Sequence, residues 1–323
     1  MAARRRIARV PIVALCILGA FGVACGGGPT SEPPTAIPPL PTVAVQPSSA
    51  ATEPPGVPLF VVADAADCEE QNDELVAAWL AAHDGTIALA GDVAYDKGTA
   101  QQFRDCFEPA WGALKPRIKP VPGNHDYLTP GAAPYWDYFG ALAGERGKGW
   151  YSFELGGWHI IGLNSNCAEA GGCGPGSPQY RWLESDLAAS TAQCTLVFTH
   201  YPVFTSGIHG QDPAGILPAW GLLYRNGVDV FAAGHDHHYE RFAPLNATGA
   251  RDDAFGIRGF VAGTGGGALY PFFVNVPNSE ARDGRTNGIL AFDLRPGGYS
   301  WSFAPVGKGT FTDAGSGLCH TRP

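Results

Sequence analysis

The sequence predicts an α/β fold, a four-layer α-β-β-α sandwich in which two mixed sheets pack face to face between outer helices. Apolar runs rich in β-branched residues alternate with helical segments from residue 57 onward, which is the pattern of a parallel α/β sheet. Several of these runs end on an acid, an amide or a histidine. The 45% hydrophobic content, with 44 Gly and 28 Pro, argues against a helical bundle.

The first half of this region alternates strands with helices. Apolar, β-branched runs predict strands over 57–64, 86–92 and 118–127, the last of which runs into a Gly-Asn turn. Apolar residues at helical spacing predict helices over 72–83 and from 99 onward. Pro109 should end the second helix, because proline has no backbone N–H to donate.

The second half continues the alternation and becomes richer in strands. A hairpin is expected over 149–165 with its turn at Gly156-Gly157, and a capped amphipathic helix over 177–190. Further apolar runs predict strands over 194–200, 228–237, 257–266, 288–295 and 299–306. The region 57–323 is therefore expected to form one domain.

The N-terminus predicts export. A basic start and a short apolar stretch form a signal segment over 1–24, and the Pro/Thr/Ser/Gly-rich stretch 25–56 is a tether. Cys25 after small residues resembles the lipidated cysteine of a bacterial lipoprotein, and an ordinary secretory signal cleaved near Ala24 is the alternative. Membrane contact is expected only through this anchor or tether.

The net charge argues against one class of function, and the cysteine content predicts disulfides. The net charge is −9, and removing the four arginines of the signal gives −9 − 4 = −13, which disfavours a nucleic-acid-binding surface. Six cysteines remain after Cys25, an even number that predicts disulfides in an exported chain. Cys167 and Cys173 are expected to close a local loop, and the other pairings stay open. None of these thiols is expected to be catalytic.

Polar residues stand where the predicted strands end. They are Asp64, Asp92, Asn124, His200 and His235, with His237 two residues further on. In α/β sheets, functional groups collect at the carboxyl ends of strands, so these side chains should converge in one crevice. A mixed set of oxygen and nitrogen donors of this size suits a pair of metal ions better than one tetrahedral ion.

Four short motifs follow one another along the chain: GDVAY (91–95), GNHD (123–126), FTHYP (198–202) and GHDH (234–237). In this order they resemble the motifs of the metallophosphoesterase superfamily. The purple acid phosphatases are the most similar group, since Tyr95 follows Asp92 by three residues and G-H-x-H-x-Y-E-R runs from Gly234 to Arg241. Ala66 stands where other members of the superfamily carry a histidine and where this group usually carries glycine. The resemblance covers essentially all of 57–323.

The resemblance implies the roles of the site residues. The first metal would be held by Asp64, Asp92, Tyr95 and His237. The second would be held by Asp92, Asn124, His200 and His235. A tyrosinate ligand implies Fe(III) at the first site, with Zn(II), Mn(II) or Fe(II) at the second. His125 would contact phosphate and protonate the leaving group, and His209 would contact the substrate.

The sequence therefore predicts an exported dinuclear-metal phosphoesterase that hydrolyses phosphate monoesters through a metal-bound hydroxide, as acid phosphatases do. A phosphodiesterase or nucleotidase on the same site is the alternative, and aromatics within 131–140 could stack on a base or simply pack. A non-catalytic surface binding protein is disfavoured because all seven ligands are present. No protein partner is expected. Tyr239, Glu240 and Arg241 should brace the loop through hydrogen bonds, and His238 should be a loop residue or support the ligands from behind. GTGGG (263–267) should form a turn near the site.

Overall fold

A computed structural model gives the fold of residues 55–70, 72–209 and 216–320. The predicted signal segment, Cys25 and all but the last two residues of the predicted tether lie outside the described residues.

The first sheet contains six strands. They are β1 (Val57–Val62), β2 (Thr86–Ala90), β3 (Ile118–Val121), β11 (Gly288–Arg295), β12 (Gly298–Pro305) and β13 (Ala314–Leu318). Their order in the sheet is β13-β12-β11-β1-β2-β3.

The second sheet contains seven strands in the order β10-β8-β9-β7-β6-β5-β4. They are β4 (Tyr151–Leu155), β5 (Trp158–Gly162), β6 (Cys194–Phe198), β7 (Val230–Ala233), β8 (Tyr239–Leu245), β9 (Ile257–Ala262) and β10 (Ser279–Asp283). Strands β1 to β3 are mutually parallel, as are β5, β6, β7 and β9, and the remaining pairs are antiparallel. Both sheets are therefore mixed, as predicted.

Helices cover the outer face of each sheet. They are α1 (Asn72–Ala81), α2 (Ala100–Gln102), α3 (Glu108–Trp111), α4 (Ala133–Phe139), α5 (Pro178–Ala189) and α6 (Leu217–Arg225). Buried residues of both sheets, such as Val61 and Phe198, form one core between them. A second core places Trp111 and Tyr135 on the first sheet, and a third places Trp220 on the second. The predicted four-layer sandwich is confirmed.

The prediction that Pro109 ends the second helix is wrong. A π-helical turn over Phe103–Phe107 joins α2 to α3, and the helix continues past Pro109 to Trp111. The backbone N–H of Glu108 donates to Phe103 O across the widened turn. Pro109 then falls in the first turn of α3, where a missing N–H costs little.

Helix α4 decides the role of the aromatic residues within 131–140. Tyr135, Trp136 and Phe139 are buried in the core that covers the first sheet. They therefore pack in this core.

Three strands, β8, β10 and β13, were not predicted. The strand expected over 228–237 is β7, which ends at Ala233.

Three disulfides join Cys68 to Cys106, Cys167 to Cys173, and Cys194 to Cys319. The predicted local Cys167–Cys173 loop is confirmed. The Cys194–Cys319 bond ties the first residue of β6 to the segment after β13, so it links the two sheets. Among the residues the structure describes, no helix is both long enough and apolar enough to span a bilayer.

His159 in β5 sits between two carboxylates, an arrangement that the sequence does not reveal. Its ring nitrogens lie 2.7 Å from Glu154 Oε1 and 2.8 Å from Asp186 Oδ2. Burial lowers the pKa of His159, but hydrogen bonds to Asp186 and Glu154 outweigh it and leave the pKa above its ordinary value. The imidazolium therefore ties the β4–β5 hairpin to α5.

We expect this cation to stabilise the protein at low pH. Because the folded-state pKa is raised, the stabilisation is complete below the unfolded-state pKa of about 6.5 and is lost as pH rises through the folded-state pKa. His159→Gln should lower the free energy of unfolding by roughly 1–2 kcal/mol near pH 5.5, the worth of hydrogen bonds to charged groups, and by less near pH 9. Urea unfolding at both pH values measures this. Equal losses at both would mean that His159 acts only through packing.

Candidate metal centre

The strand ends converge as predicted from their sequence positions. Asp64, Asp92 and Asn124 follow β1, β2 and β3 of the first sheet, whereas His200 and His235 follow β6 and β7 of the second. Apart from Asn124, which is half-buried, these side chains are buried. The two sheets thus contribute oxygen and nitrogen donors to one edge of the sandwich.

Four donor atoms form a first cluster around the Tyr95 hydroxyl. Tyr95 Oη lies 2.8 Å from Asp64 Oδ1, 3.1 Å from Asp92 Oδ2 and 2.9 Å from His237 Nε2. His237 Nε2 and Asp64 Oδ1 are 3.5 Å apart. These are the four residues predicted for the first metal.

A second cluster surrounds His200 Nε2. This nitrogen lies 2.8 Å from Asn124 Oδ1, 3.2 Å from His235 Nδ1 and 3.3 Å from Asp92 Oδ2. Asp92, His200 and His235 can each offer one donor atom within 4.8 Å of the others. Asp92 Oδ2 contacts both clusters, which is the position required of a bridging ligand.

Backbone groups fix the orientation of these side chains. His200 Nδ1 donates to Ala90 O at 2.9 Å, and His237 Nδ1 donates to Ala268 O at 2.7 Å, so each Nε2 faces the centre. Asp92 Oδ1 accepts from the N–H of His125 at 2.8 Å. Such support fixes both the ring orientation and the tautomer of a metal-binding histidine.

The glycines of two motifs permit this close approach. A Cβ on Gly123 would lie 2.0 Å from Asp92 Oδ1, and one on Gly91 would lie 2.6 Å from His200 Nδ1. Asp64, Asp92 and His235 adopt positive φ angles of 59°, 51° and 70°. Non-glycine residues in this region are strained, and such strain is typical of functional sites.

The charges of the site shift its pKa values strongly. Burial raises the pKa of Asp92, but His200 and the other neighbouring histidines outweigh it and leave the pKa below its ordinary value. Burial lowers the pKa of His200, yet the Asp92 charge outweighs it and raises the pKa to about 9. Burial and the charge of His200 lower the pKa of His235 to about 3. Burial, Asp64 and Asp92 raise the pKa of Tyr95.

The donor set fits two metal ions. In the first cluster the Tyr95 hydroxyl faces two carboxylate oxygens and an imidazole nitrogen, all of them atoms that a metal ion can bind. In the second, His200 Nε2 lies against an amide oxygen, a carboxylate oxygen and a second imidazole nitrogen, and His235 Nε2 is buried without a hydrogen-bond partner among the described residues. Buried acceptors that face one another repel unless a cation lies between them. Both clusters therefore have the chemistry of metal sites.

The two histidines predicted outside the ligand set lie beside the clusters. His125 Nε2 is 4.0 Å from Asp92 Oδ2, and its Nδ1 donates to Asp96 O at 2.6 Å. The His209 ring is exposed and its centroid lies 4.4 Å from that of His235. Both rings therefore lie next to the proposed ligands.

The bracing residues divide into two groups. Glu240 is fully buried and accepts from the N–H and hydroxyl of Ser206 at 2.7 and 2.6 Å, which holds the segment that carries His209. His238 is buried beside it, with Nε2 3.4 Å from Glu240 Oε2. Tyr239 and Arg241 instead both donate to Asp313. The prediction that they brace the histidine loop is wrong for these two residues.

Two residues near the site were missed by the sequence reasoning. Asp236 is fully buried and accepts from the Thr205 hydroxyl at 2.6 Å and from the N–H of His209 at 3.2 Å. Its position inside the GHDH motif could have identified Asp236 as a residue of the site from the sequence. Tyr270 stacks on His237 with ring centroids 4.3 Å apart and planes 10° apart. It follows GTGGG, whose Gly267 N–H donates to Asp64 O at 3.0 Å, so the predicted turn does lie at the site.

The two sheets of this sandwich bring acidic, amide and imidazole donors to one edge. This arrangement is typical of metallophosphoesterases. The profile of the calcineurin-like phosphoesterase family matches residues 57–239. This match covers more than half of the chain, and the chain therefore belongs to that family. The resemblance inferred from the four motifs is confirmed.

Relatives of this chain include phosphatases. An acid phosphatase of Aspergillus ficuum is 37% identical over 79 residues, which cover 24% of this chain and 13% of that protein. The Fe(3+)-Zn(2+) purple acid phosphatase 12 of Arabidopsis thaliana is 31% identical over 150 residues, 44% of this chain and 28% of that protein. The chain thus spans less than a third of the length of each.

A solved structure agrees on the fold. The purple acid phosphatase PPD1 from yellow lupin superposes with a TM-score of 0.70 at 17% identity, over 82% of this chain and 54% of that chain. At this identity the likeness concerns the arrangement of strands and helices.

Proposed function

We propose that this protein is a dinuclear metal-dependent phosphatase that hydrolyses phosphate monoesters. The observation that carries the proposal is the pair of donor clusters that share Asp92 Oδ2. Asp64, Asp92, Tyr95 and His237 would hold the first ion. Asp92, Asn124, His200 and His235 would hold the second. Two ions at such a site supply Lewis-acid chemistry for phosphoryl transfer when bound.

The remaining side chains would bind the substrate and move a proton. His125 Nδ1 donates to Asp96 O, so Nε2, the nitrogen that faces Asp92, is the one left to take up and give a proton. A proton carried by this nitrogen would pass to the leaving oxygen as the ester bond breaks. The exposed His209 ring can donate a hydrogen bond to a phosphoryl oxygen. Asp236 and Glu240 hold the segment that carries His209.

The metals we propose are Fe(III) in the first site and Zn(II), Mn(II) or Fe(II) in the second. The phenol of Tyr95 supports Fe(III), because tyrosinate is a hard anionic oxygen ligand. The name of the Arabidopsis relative states an iron and a zinc ion. Tyr95 must lose its proton to bind, so uptake of the first ion releases a proton.

Tyr95→Phe should abolish the visible absorption band of the iron-loaded protein, because the phenolate oxygen is the source of that band. Absorption spectra at equal iron content measure this. Tyr270→Phe is the matched control, since Tyr270 stacks on the ligand His237. A band that survives in Tyr95→Phe and disappears in Tyr270→Phe would identify Tyr270 as the phenolate and contradict the proposed ligand set.

We also infer that the protein is exported. Residues 1–24 would be a signal segment, 25–56 a tether anchored through Cys25, and 57–323 the catalytic domain. The three disulfides support this inference, since disulfides persist in oxidising compartments.

Hydrolysis of p-nitrophenyl phosphate and of bis(p-nitrophenyl) phosphate tests the proposed function. The purified, metal-loaded protein should turn over the monoester and lose this activity after chelation. Turnover of the diester alone would replace the phosphatase by a phosphodiesterase. Two bound metals without turnover of either ester would contradict the proposed activity.

A further inference from the structure

Exposed apolar side chains gather on the segments that carry the site residues. In the described part of the chain eight large hydrophobic residues are exposed, and four lie on these segments: Leu128, Ile208, Phe273 and Val274. Exposed apolar groups beside a site can mark a surface that binds a ligand. Their position on the segments of the site makes them candidates for contact with a substrate.

Backbone hydrogen bonds connect these residues to the metal centre. The N–H groups of Phe273 and Val274 donate to Ser206 O at 3.1 and 3.3 Å, and Ile208 lies two residues beyond Ser206, next to His209. Leu128 shares a 3₁₀ turn with His125, whose O accepts from Leu128 N at 3.2 Å. The apolar groups therefore flank the proposed catalytic residues.

Tyr270 joins the apolar segments to the ligands. Its ring covers one face of His237, and its centroid lies 6.3 Å from that of His209. The N–H of Tyr270 donates to His237 O at 2.9 Å, which fixes the ring over the ligand. An ester held at the metal centre would extend its alcohol group past this ring.

We propose that Tyr270, Ile208 and Phe273 form an apolar mouth that selects phosphate esters with an apolar alcohol group. This inference rests on the proposed function and specifies its substrate class. Tyr270 stacks on the proposed ligand His237 and Ile208 precedes His209, so a carbon chain attached to a phosphoryl group bound there would lie beside these side chains. Burying that chain removes apolar surface from water on both sides.

A series of n-alkyl phosphates tests the inference, because ethyl, butyl and hexyl alcohols are leaving groups of nearly equal reactivity. We expect kcat/KM to rise by about tenfold from ethyl to hexyl, since full burial of one CH₂ is worth roughly fourfold and these exposed side chains would bury the chain only in part. A chain of equal length ending in a carboxylate should lose most of the gain, because its charged end requires water.

Phe273→Ser should reduce the hexyl-to-ethyl ratio to about threefold through KM, because part of the contact surface is removed. Phe255→Ser is the matched control. Phe255 is 55% exposed against 59% for Phe273, and its ring centroid lies 6.3 Å from that of His320, the residue after the disulfide-bonded Cys319. This control should keep the wild-type ratio.

Three outcomes would overturn the inference. A flat series in the wild-type enzyme would mean that the apolar groups do not touch the substrate, while the proposed phosphatase would stand. A Phe273→Ser variant with an unchanged ratio but weaker sedimentation with phosphatidylglycerol vesicles would assign these side chains to a membrane. Hydrolysis of none of the esters, p-nitrophenyl phosphate included, would remove the proposed function itself.

Discussion

Asp92→Asn is expected to lower kcat for p-nitrophenyl phosphate by at least about 10³-fold, equivalent to roughly 4 kcal/mol of transition-state stabilisation. Asp92 Oδ2 is the atom that contacts both clusters, at 3.1 Å from Tyr95 Oη and 3.3 Å from His200 Nε2. Asparagine keeps the shape but removes the negative charge that would bridge two cations. The metal content should therefore fall as well.

Kinetics and metal analysis on the same preparation measure both effects. Asp186→Asn is the matched control. Asp186 is a half-buried carboxylate outside the site, and it accepts a hydrogen bond from His159 at 2.8 Å. The control should retain both metals and full activity. Wild-type activity in Asp92→Asn with two metals bound would contradict the bridging role of Asp92.

The site residues that follow directly after strands could be predicted from the sequence. Asp64, Asp92 and Asn124 follow three adjacent parallel strands, and the carboxyl ends of such strands lie at one edge. His200 and His235 follow two adjacent parallel strands of the other sheet. Sequence position alone brings each group to an edge. The fold then brings the two edges together.

Features that depend on tertiary contacts were not predictable. Tyr270 lies 33 positions after His237 (270 − 237 = 33), and only the turn at 263–267 brings its ring onto that ligand. Tyr239 and Arg241 reach Asp313 because β8 lies near the chain entering β13. The positive φ of Asp64, Asp92 and His235 has no local signal, since propensity alone would place glycine there.

The missed helical continuation has a similar cause. Proline ends most helices because its N–H is missing and its ring clashes with the preceding turn. At Pro109 the π-helical turn shifts the hydrogen bonds by one residue, and Phe107 and Trp111 are both fully buried on the first sheet. Burial of these aromatic rings stabilises the continued helix and overrides the local preference.

Cys194→Ala combined with Cys319→Ala should lower the free energy of unfolding by about 4–5 kcal/mol and the melting temperature by on the order of 10 °C. The bond closes a loop with a sequence separation of 125 and joins the second sheet to the end of the first. In the chain-entropy account, a cross-link over a long loop removes many conformations from the unfolded chain. Thermal and urea unfolding of the oxidised proteins measure the loss.

Cys167→Ala combined with Cys173→Ala is the matched control, because its disulfide spans a separation of only 6. The same account gives a loss of about 2 kcal/mol for so short a loop. The difference between the two double variants, about twofold, is therefore the diagnostic quantity. Equal losses would mean that native packing around Cys194 and Cys173, both buried, sets the stability instead of the restricted unfolded chain. A larger loss in the control would contradict the loop-length argument outright.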